Sequence, residues 1–281
     1  MRARPASLDW LPHLVLWAGI AIIAFPIYIT FVASSLTPQD ILAGMPLLPG
    51  AHLFQNYRDA LVSGVAATSG VSVARMLWNS LVMALIIALG KIAISLLSAY
   101  AVVFFRFPLR MAVFWMIFVT LMLPVEVRIV PTYKVVADLG MIDSFAGLTV
   151  PLIASATATL LFRQFFLTIP DELVEAAKID GAGPLRFLLD TVIPLSRTNL
   201  AALFVILFIY GWNQFLWPLI VTDSAPMTTI VIGLTRMIGT GDGRTDWDIV
   251  MATAILAMLP PALVVVLMQR WFVKGLIESE K

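Results

Sequence analysis

Twenty consecutive residues, Leu14 to Ala33, pass without an Asp, Glu, Lys or Arg, and that run decides most of what this chain can fold into. A helix needs about 20 apolar residues to cross the hydrocarbon core of a bilayer. The apolar region of a secretory signal covers only about 7–15 residues, so Leu14 to Ala33 predicts an uncleaved first span behind Arg2 and Arg4. Pro26 is expected to kink it. Five further stretches read the same way. They are Met76 to Phe105, interrupted only by Lys91; Met111 to Val125; Ser144 to Phe162, with Pro151 inside; Asn199 to Thr222; and Ile249 to Gln269, expected to break at Pro260 and Pro261. Six spans are predicted. Helices so rich in proline leave carbonyls unpaired and need protein neighbours at the breaks.

The composition agrees. Of 281 residues 60% are hydrophobic and 12% charged, where a soluble domain carries about 25% charge. Most of the exterior must therefore face lipid. A net charge of +1 lacks the basic excess that nucleic acid requires. The absence of cysteine excludes disulfides and thiolate chemistry. His13 and His52 have no carboxylates at helical spacing to complete a zinc site. No glycine-rich phosphate loop occurs, so any ATP is hydrolysed by another chain and this one binds no cofactor.

Lys and Arg in the connecting segments set the orientation. With the N-terminus inside, eleven basic residues fall in cytoplasmic segments and six outside, Lys91 completing the eighteen. Both termini are expected in the cytoplasm. Two connections exceed a turn: Ser34 to Arg75 outside, where Asn56 to Leu61 reads as a short amphipathic helix, and Arg163 to Arg197 inside.

The inner connection is the most informative. In Thr168-Ile169-Pro170-Asp171 the threonine can cap a helix, with proline in its first turn and an acid three residues on. Asp171, Glu172 and Glu175 place negative charge at the positive end of the helix dipole. Leu173, Ala176, Ala177 and Asp180 give one face of mostly small residues, and Gly181 ends the helix in the left-handed conformation. Pro184 opens a second short helix. A capped, small-faced helix on a loop between spans suits insertion into a groove of a cytoplasmic partner; an amphipathic helix lying on the lipid surface is the alternative.

Glu175-Ala176-Ala177, Gly181 four residues on and Pro194 thirteen beyond that resemble the EAA motif of bacterial ABC importer permeases, with Asp180-Gly181-Ala182 at its centre. Thr191 departs from the pattern, which usually carries an aliphatic residue there. Phe105-Arg106-Phe107-Pro108, Pro131-Thr132-Tyr133, Arg163-Gln164-Phe165-Phe166 and Trp212 to Leu219 look like the carbohydrate-importer branch of that family. Within it, Leu121 to Arg128, Ser155 to Gln164 and Gly211 to Leu219 are most similar to permeases of sn-glycerol 3-phosphate importers; relatives for other sugars or polyols share most of these segments.

The resemblance implies an all-α integral membrane protein with a type I importer fold and a cytoplasmic coupling helix formed by Glu175, Ala176, Ala177, Asp180 and Gly181. Residues 1–75 would form an N-terminal span and periplasmic segment, 76–270 the permease domain, and 271–281 a cytoplasmic tail. The implied partners are a second, similar permease, two copies of an ATPase holding ATP and Mg, and a periplasmic binding protein. An ion-coupled secondary transporter would more often show internal repeats, and a membrane enzyme would need a converging cluster of catalytic groups. Neither is found.

Polar residues within the spans are candidates for the translocation path: Asn79, Ser95 and Ser98, Ser155, Thr157 and Thr159, and Asn213 and Gln214. For each hydroxyl a bond to the preceding helical turn competes with that role. Glu126 and Arg128, two apart, point to different sides of a helix; each should find a separate partner on the second permease or the binding protein, or lie at the outer headgroups. Lys91 lies 16 residues after Arg75 and 15 before Arg106. A lysine at the bilayer centre costs about 2.5–3.5 kcal/mol on insertion scales, so it must face protein or a watery cavity. It either pairs with an acid or carbonyls on a neighbouring helix, or serves as a point-charge partner for a phosphate.

Overall fold

The computed structural model describes residues 10–44, 46–63, 68, 70–120, 125–238 and 245–278, and among these every regular element is helical. In chain order they are α1 (Trp10–Ala33), α2 (Pro38–Ala43), α3 (Leu53–Ser63), α4 (Val73–Phe104), α5 (Arg110–Val119) and α6 (Val125–Asp138). There follow α7 (Phe145–Thr149) with a 3-10 turn at Val150–Leu152, α8 (Ala156–Phe166), α9 (Asp171–Ile179), and α10 (Pro184–Phe187) with a π-helical turn at Leu188–Val192. The chain ends with α11 (Ile193–Leu195), α12 (Arg197–Trp212), α13 (Leu216–Val221), a 3-10 turn at Ala225–Met227, α14 (Ile230–Ile238) and α15 (Trp247–Glu278).

Three of these helices are long and apolar enough to cross a membrane: α1, α4 and the Trp247–Trp271 part of α15. Two bent pairs raise the number to five if each is one span: Phe145–Leu152 with Ala156–Phe166, meeting at 48°, and Pro184–Leu195 with Arg197–Trp212, at 76°. The stretch from Met111 is helical through Val119, and Leu121 to Pro124 lie outside the described residues. Two expectations need correction. Asn199 to Thr222 is two helices, because the chain leaves the ladder at Asn213, Gln214 and Phe215. Pro260 and Pro261 do not break α15, which runs through both, just as α1 runs through Pro26. Proline's fixed φ is already helical, so its cost is the lost ladder bond, and spanning helices tolerate that loss.

Two compact units result, residues 1–75 with 233–259, and 76–232 with 260–281. In the first, the segment after α1 is pinned by buried polar bonds. Asn56 Nδ2 donates to the carbonyls of Ser34 (3.0 Å) and Leu36 (2.8 Å), and Gly50 N–H donates to Ser35 Oγ at 2.7 Å. Thr37 and Asp40 form a reciprocal capping box on α2, and the Thr37 hydroxyl and N–H that Asp40 accepts hold its carboxyl below the usual range.

The second unit carries the apolar core of Met83, Ile87, Val136, Leu148, Leu152, Trp217, Val221 and Met227. The indole Nε1 of Trp217 donates to Gly147 O at 3.0 Å, so its polar atom is satisfied inside the core. Helices α4 and α12 meet backbone to backbone: a Cβ added to Gly211 would come 2.9 Å from Ala84 Cα. Asn79, fully buried on α4, donates to the carbonyls of Pro226 (2.7 Å) and Thr228 (2.9 Å). Asn79→Ala should therefore cost about 1–3 kcal/mol, read as a lower melting temperature of the purified protein.

Candidate functional site

The loop from Leu167 to Ser196 is built as a self-capped unit. Its helix α9 begins at Asp171 with Pro170, extended at φ −62° and ψ 140°, in the N-cap position. Thr168 does not cap it; the hydroxyl donates backwards to Phe165 O at 2.7 Å and closes α8 instead. Asp171 and Glu172 occupy the first turn and Lys178 the last, each favourable to the helix dipole. At the far end Gly181 takes φ +69°. Its N–H donates to Lys178 O at 3.1 Å, and Ala182 N–H reaches back to Ala177 O at 2.8 Å. This 6→1 and 5→2 pair is the Schellman motif. Gly183 then caps α10, with Pro184 at its first position.

No side chain of α9 is buried. Glu175, Ala176 and Asp180 are exposed, Ala177 is half-buried, and Ile179 is 86% exposed. A nine-residue helix is too short to persist on propensity alone, and this one gains little from its own chain. Leu173, Ala176 and Ala177 line one wall of a groove, and Phe187, Asp190 and Thr191 the other. Thr191 lies in the π-helical turn, and Pro194 in α11 beyond it.

The loop is tied to α4. Tyr100 Oη donates to Pro184 O at 2.7 Å. Around that bond Phe104 packs on Phe187 (centroids 5.4 Å) and on Phe166 (5.9 Å). The sequence reading did not single out Tyr100; an aromatic run Tyr100, Phe104, Phe105 closing an apolar helix was the available signal.

Lys91 projects from α4 into the interior, 6% exposed. Its Nζ lies 3.7 Å from the centroid of the Tyr210 ring on α12, a cation–π contact. Among the described residues no carboxylate pairs with it; the two ion pairs found are Lys134–Asp138 and Arg186–Asp190, both exposed. Tyr210 was missed in the sequence because nothing in a run of apolar residues marks which aromatic meets a cation on another helix.

The remaining candidates fall into two groups. Asn79, Ser95 and Gln214 are bonded to carbonyls, Ser95 to Ser155 O at 3.0 Å and Gln214 to Tyr210 O at 3.1 Å. Ser98 and Thr159 bond back to the preceding turn, and Ser155 caps α8 through Ala158 N–H. Thr157 and Asn213 are exposed, and no hydrogen bond ties either side chain among the described residues. Arg128 is exposed, whereas the side chain of Glu126 lies outside the described residues.

Apolar helices of spanning length, two bent helix pairs and a capped, unburied helix on a connecting loop define an integral membrane protein. Residues 91–278 match the family model described as "Binding-protein-dependent transport system inner membrane component", and the chain belongs to that family. It is 67% identical over 279 residues to the sn-glycerol-3-phosphate transport system permease protein UgpE of Brucella melitensis biotype 1, covering 99% of each chain. To the protein of the same name from Agrobacterium fabrum it is 68% identical over 270 residues (96% of each), and to that from Escherichia coli O1:K1 59% over 270 residues (96% of each). A crystal structure of a bacterial ABC transporter that imports the acidic polysaccharide alginate contains a chain of the same fold. Its TM-score is 0.82 at 19% identity, covering 97% of this chain and all of that one.

Proposed function

We propose that this chain is one of two permease subunits of an ATP-driven importer for sn-glycerol 3-phosphate in the bacterial inner membrane. The observation that carries the solute is 67–68% identity along nearly the whole chain to permeases named for it. Related glycerophosphodiesters share the phosphoglycerol group and are the next solutes to test. In this reading the six spans are α1, α4, α5 with the residues after it, the bent pair α7–α8, α12 and α15. Both termini face the cytoplasm, in keeping with eleven basic residues inside against six outside.

The partners are a UgpA-like permease, two copies of a UgpC-like ATPase that holds ATP and Mg, and a UgpB-like periplasmic binding protein. Helix α9, with Glu175, Ala176, Ala177, Asp180 and Gly181, is the coupling helix, and Pro194 ends its loop. Its lack of buried side chains is what a helix completed by a partner's groove requires. Residues 1–75 form the first span and periplasmic segment, 76–270 the permease domain, and 271–281 the tail. ATP can bias the permease only by binding differently to the ATPase in the two access states, and the loop carries that difference to α4 through Tyr100. Lys91, Thr157 and Asn213 line the path, and Glu126 and Arg128 meet the second permease or the binding protein.

Vesicles holding the four proteins test the reading. Uptake of sn-glycerol 3-phosphate should require both ATP and the binding protein. Uptake driven by a proton or sodium gradient, or a preference for an uncharged sugar or polyol, would overturn it.

A further inference from the structure

The second unit brings a buried cation, with no carboxylate partner among the described residues, to a break in a span. Gly90, beside Lys91, packs so tightly on the break between the 3-10 turn and α8 that an added Cβ would come 2.8 Å from Ile153 Cγ2. One turn further along α4, Ser95 donates to Ser155 O at 3.0 Å. Lys91 thus sits on the stretch of α4 that docks against Ile153–Ser155, where α8 begins after the 48° bend. The N-terminal turn of α8 carries the positive end of an eleven-residue helix. Ser155 Oγ satisfies Ala158 N–H at 3.2 Å and its carbonyl satisfies Thr159 N–H. The N–H groups of Ala156 and Thr157 have no acceptor among the described residues.

Two positive features therefore lie along one packed stretch without a described carboxylate: the Lys91 ammonium on α4 and the N-terminal turn of α8, against which α4 docks through Gly90 and Ser95. A ring face is a weaker partner for a desolvated ammonium than a phosphate, which offers a charge-assisted bond. Broken helices in transporters aim such N-termini at anionic groups of the solute.

We infer that Lys91 and the first turn of α8 form a phosphate-monoester site within the membrane, with the Tyr210 ring holding the lysine until the anion displaces it. The inference rests on the importer reading and deepens it: Tyr210 becomes a specificity-determining residue and the solute is recognised within this subunit.

Two measurements on the reconstituted complex test it. The first is uptake of sn-glycerol 3-phosphate by wild type, Lys91→Met, Lys91→Arg and Tyr210→Leu. The second is mass-spectrometric reductive methylation of Lys91 in the presence of sn-glycerol 3-phosphate, glycerol or inorganic phosphate. Lys91→Met should lose uptake about 10- to 100-fold, Lys91→Arg less, and Tyr210→Leu should change the ratio of phosphorylated to unphosphorylated solute carried. Both phosphate-bearing ligands should protect Lys91 and glycerol should not. Wild-type uptake by Lys91→Met, or methylation indifferent to phosphate, overturns the site. Protection by inorganic phosphate alone keeps the anion site but overturns its assignment to the solute. If Lys91→Met fails to assemble, the wild-type protection pattern decides. A wild type that carries no glycerol phosphate yet is protected by inorganic phosphate sinks the importer reading and leaves the site standing.

Discussion

Gly147→Ala is expected to cost about 3–5 kcal/mol, enough to remove a large part of a domain's net stability. A Cβ at that position would collide with the Met141 carbonyl oxygen and stand 3.4 Å from Val136 Cγ1. The obstacle is backbone, so no rotamer change relieves it. Shifting Gly147 instead would strain two bonds: its N–H to Ser144 Oγ at 3.1 Å, and its carbonyl from Trp217 Nε1 at 3.0 Å. Losing the second leaves an indole unpaired in the core. Gly183→Ala is the control, since nothing lies within 4 Å of its added Cβ and its φ is −69°. Fluorescence-detected size-exclusion melting should separate the two; equal melting temperatures would contradict the packing described.

Gly181→Val should lower uptake about tenfold or more while leaving the melting temperature of the permease nearly unchanged. Space is not the problem, because nothing lies within 4 Å of an added Cβ. The cost is conformational: φ +69° disfavours an L side chain by about 1–2 kcal/mol, and a β-branched one more. Both Schellman bonds depend on that angle. Since no side chain of α9 is fully buried, it has little packing to resist unwinding. Gly181→Asn, which tolerates the left-handed region, should keep more uptake than valine. Copurification of the ATPase gives the second readout. Full ATPase association together with wild-type uptake by the valine variant would remove the coupling assignment.

What the sequence made legible follows physical range. The cap chemistry of α9 was readable because Gly181, Pro184 and the leading acids act within a few residues of where they stand. The spanning character of α1 and α4 was readable because it depends on composition over a long window. Helix continuity at proline was not. Whether Pro260 and Pro261 break a helix depends on how neighbours absorb two missing bonds, and here α15 continues. Thr168, which local rules nominate as a cap, turned backwards to α8, leaving Pro170 at the cap position.

The candidate path shows the same division. That Lys91 needed protein around it followed from the cost of a bare charge in hydrocarbon. That its neighbour is Tyr210 depends on α4 and α12 closing to backbone contact at Ala84 and Gly211, a long-range fact. The polarity of Asn79, Ser95 and Gln214 within the spans is visible in a sequence, whereas the carbonyls that accept their bonds are not.

The close contact at Ala84 also sets a mechanical ratio. Lys91 is seven residues beyond it along α4 and Tyr100 sixteen, or about 10 Å and 24 Å of helix. If Ala84, which meets α12 through backbone atoms, were the fulcrum of α4 and the helix a stiff lever, a sideways displacement imposed at Tyr100 would arrive at Lys91 at a little under half its size, about 0.4. A swing of a few ångströms at the loop end would then become a shift of one or two at the ammonium, about the difference between holding the proposed phosphate at bonding distance and releasing it.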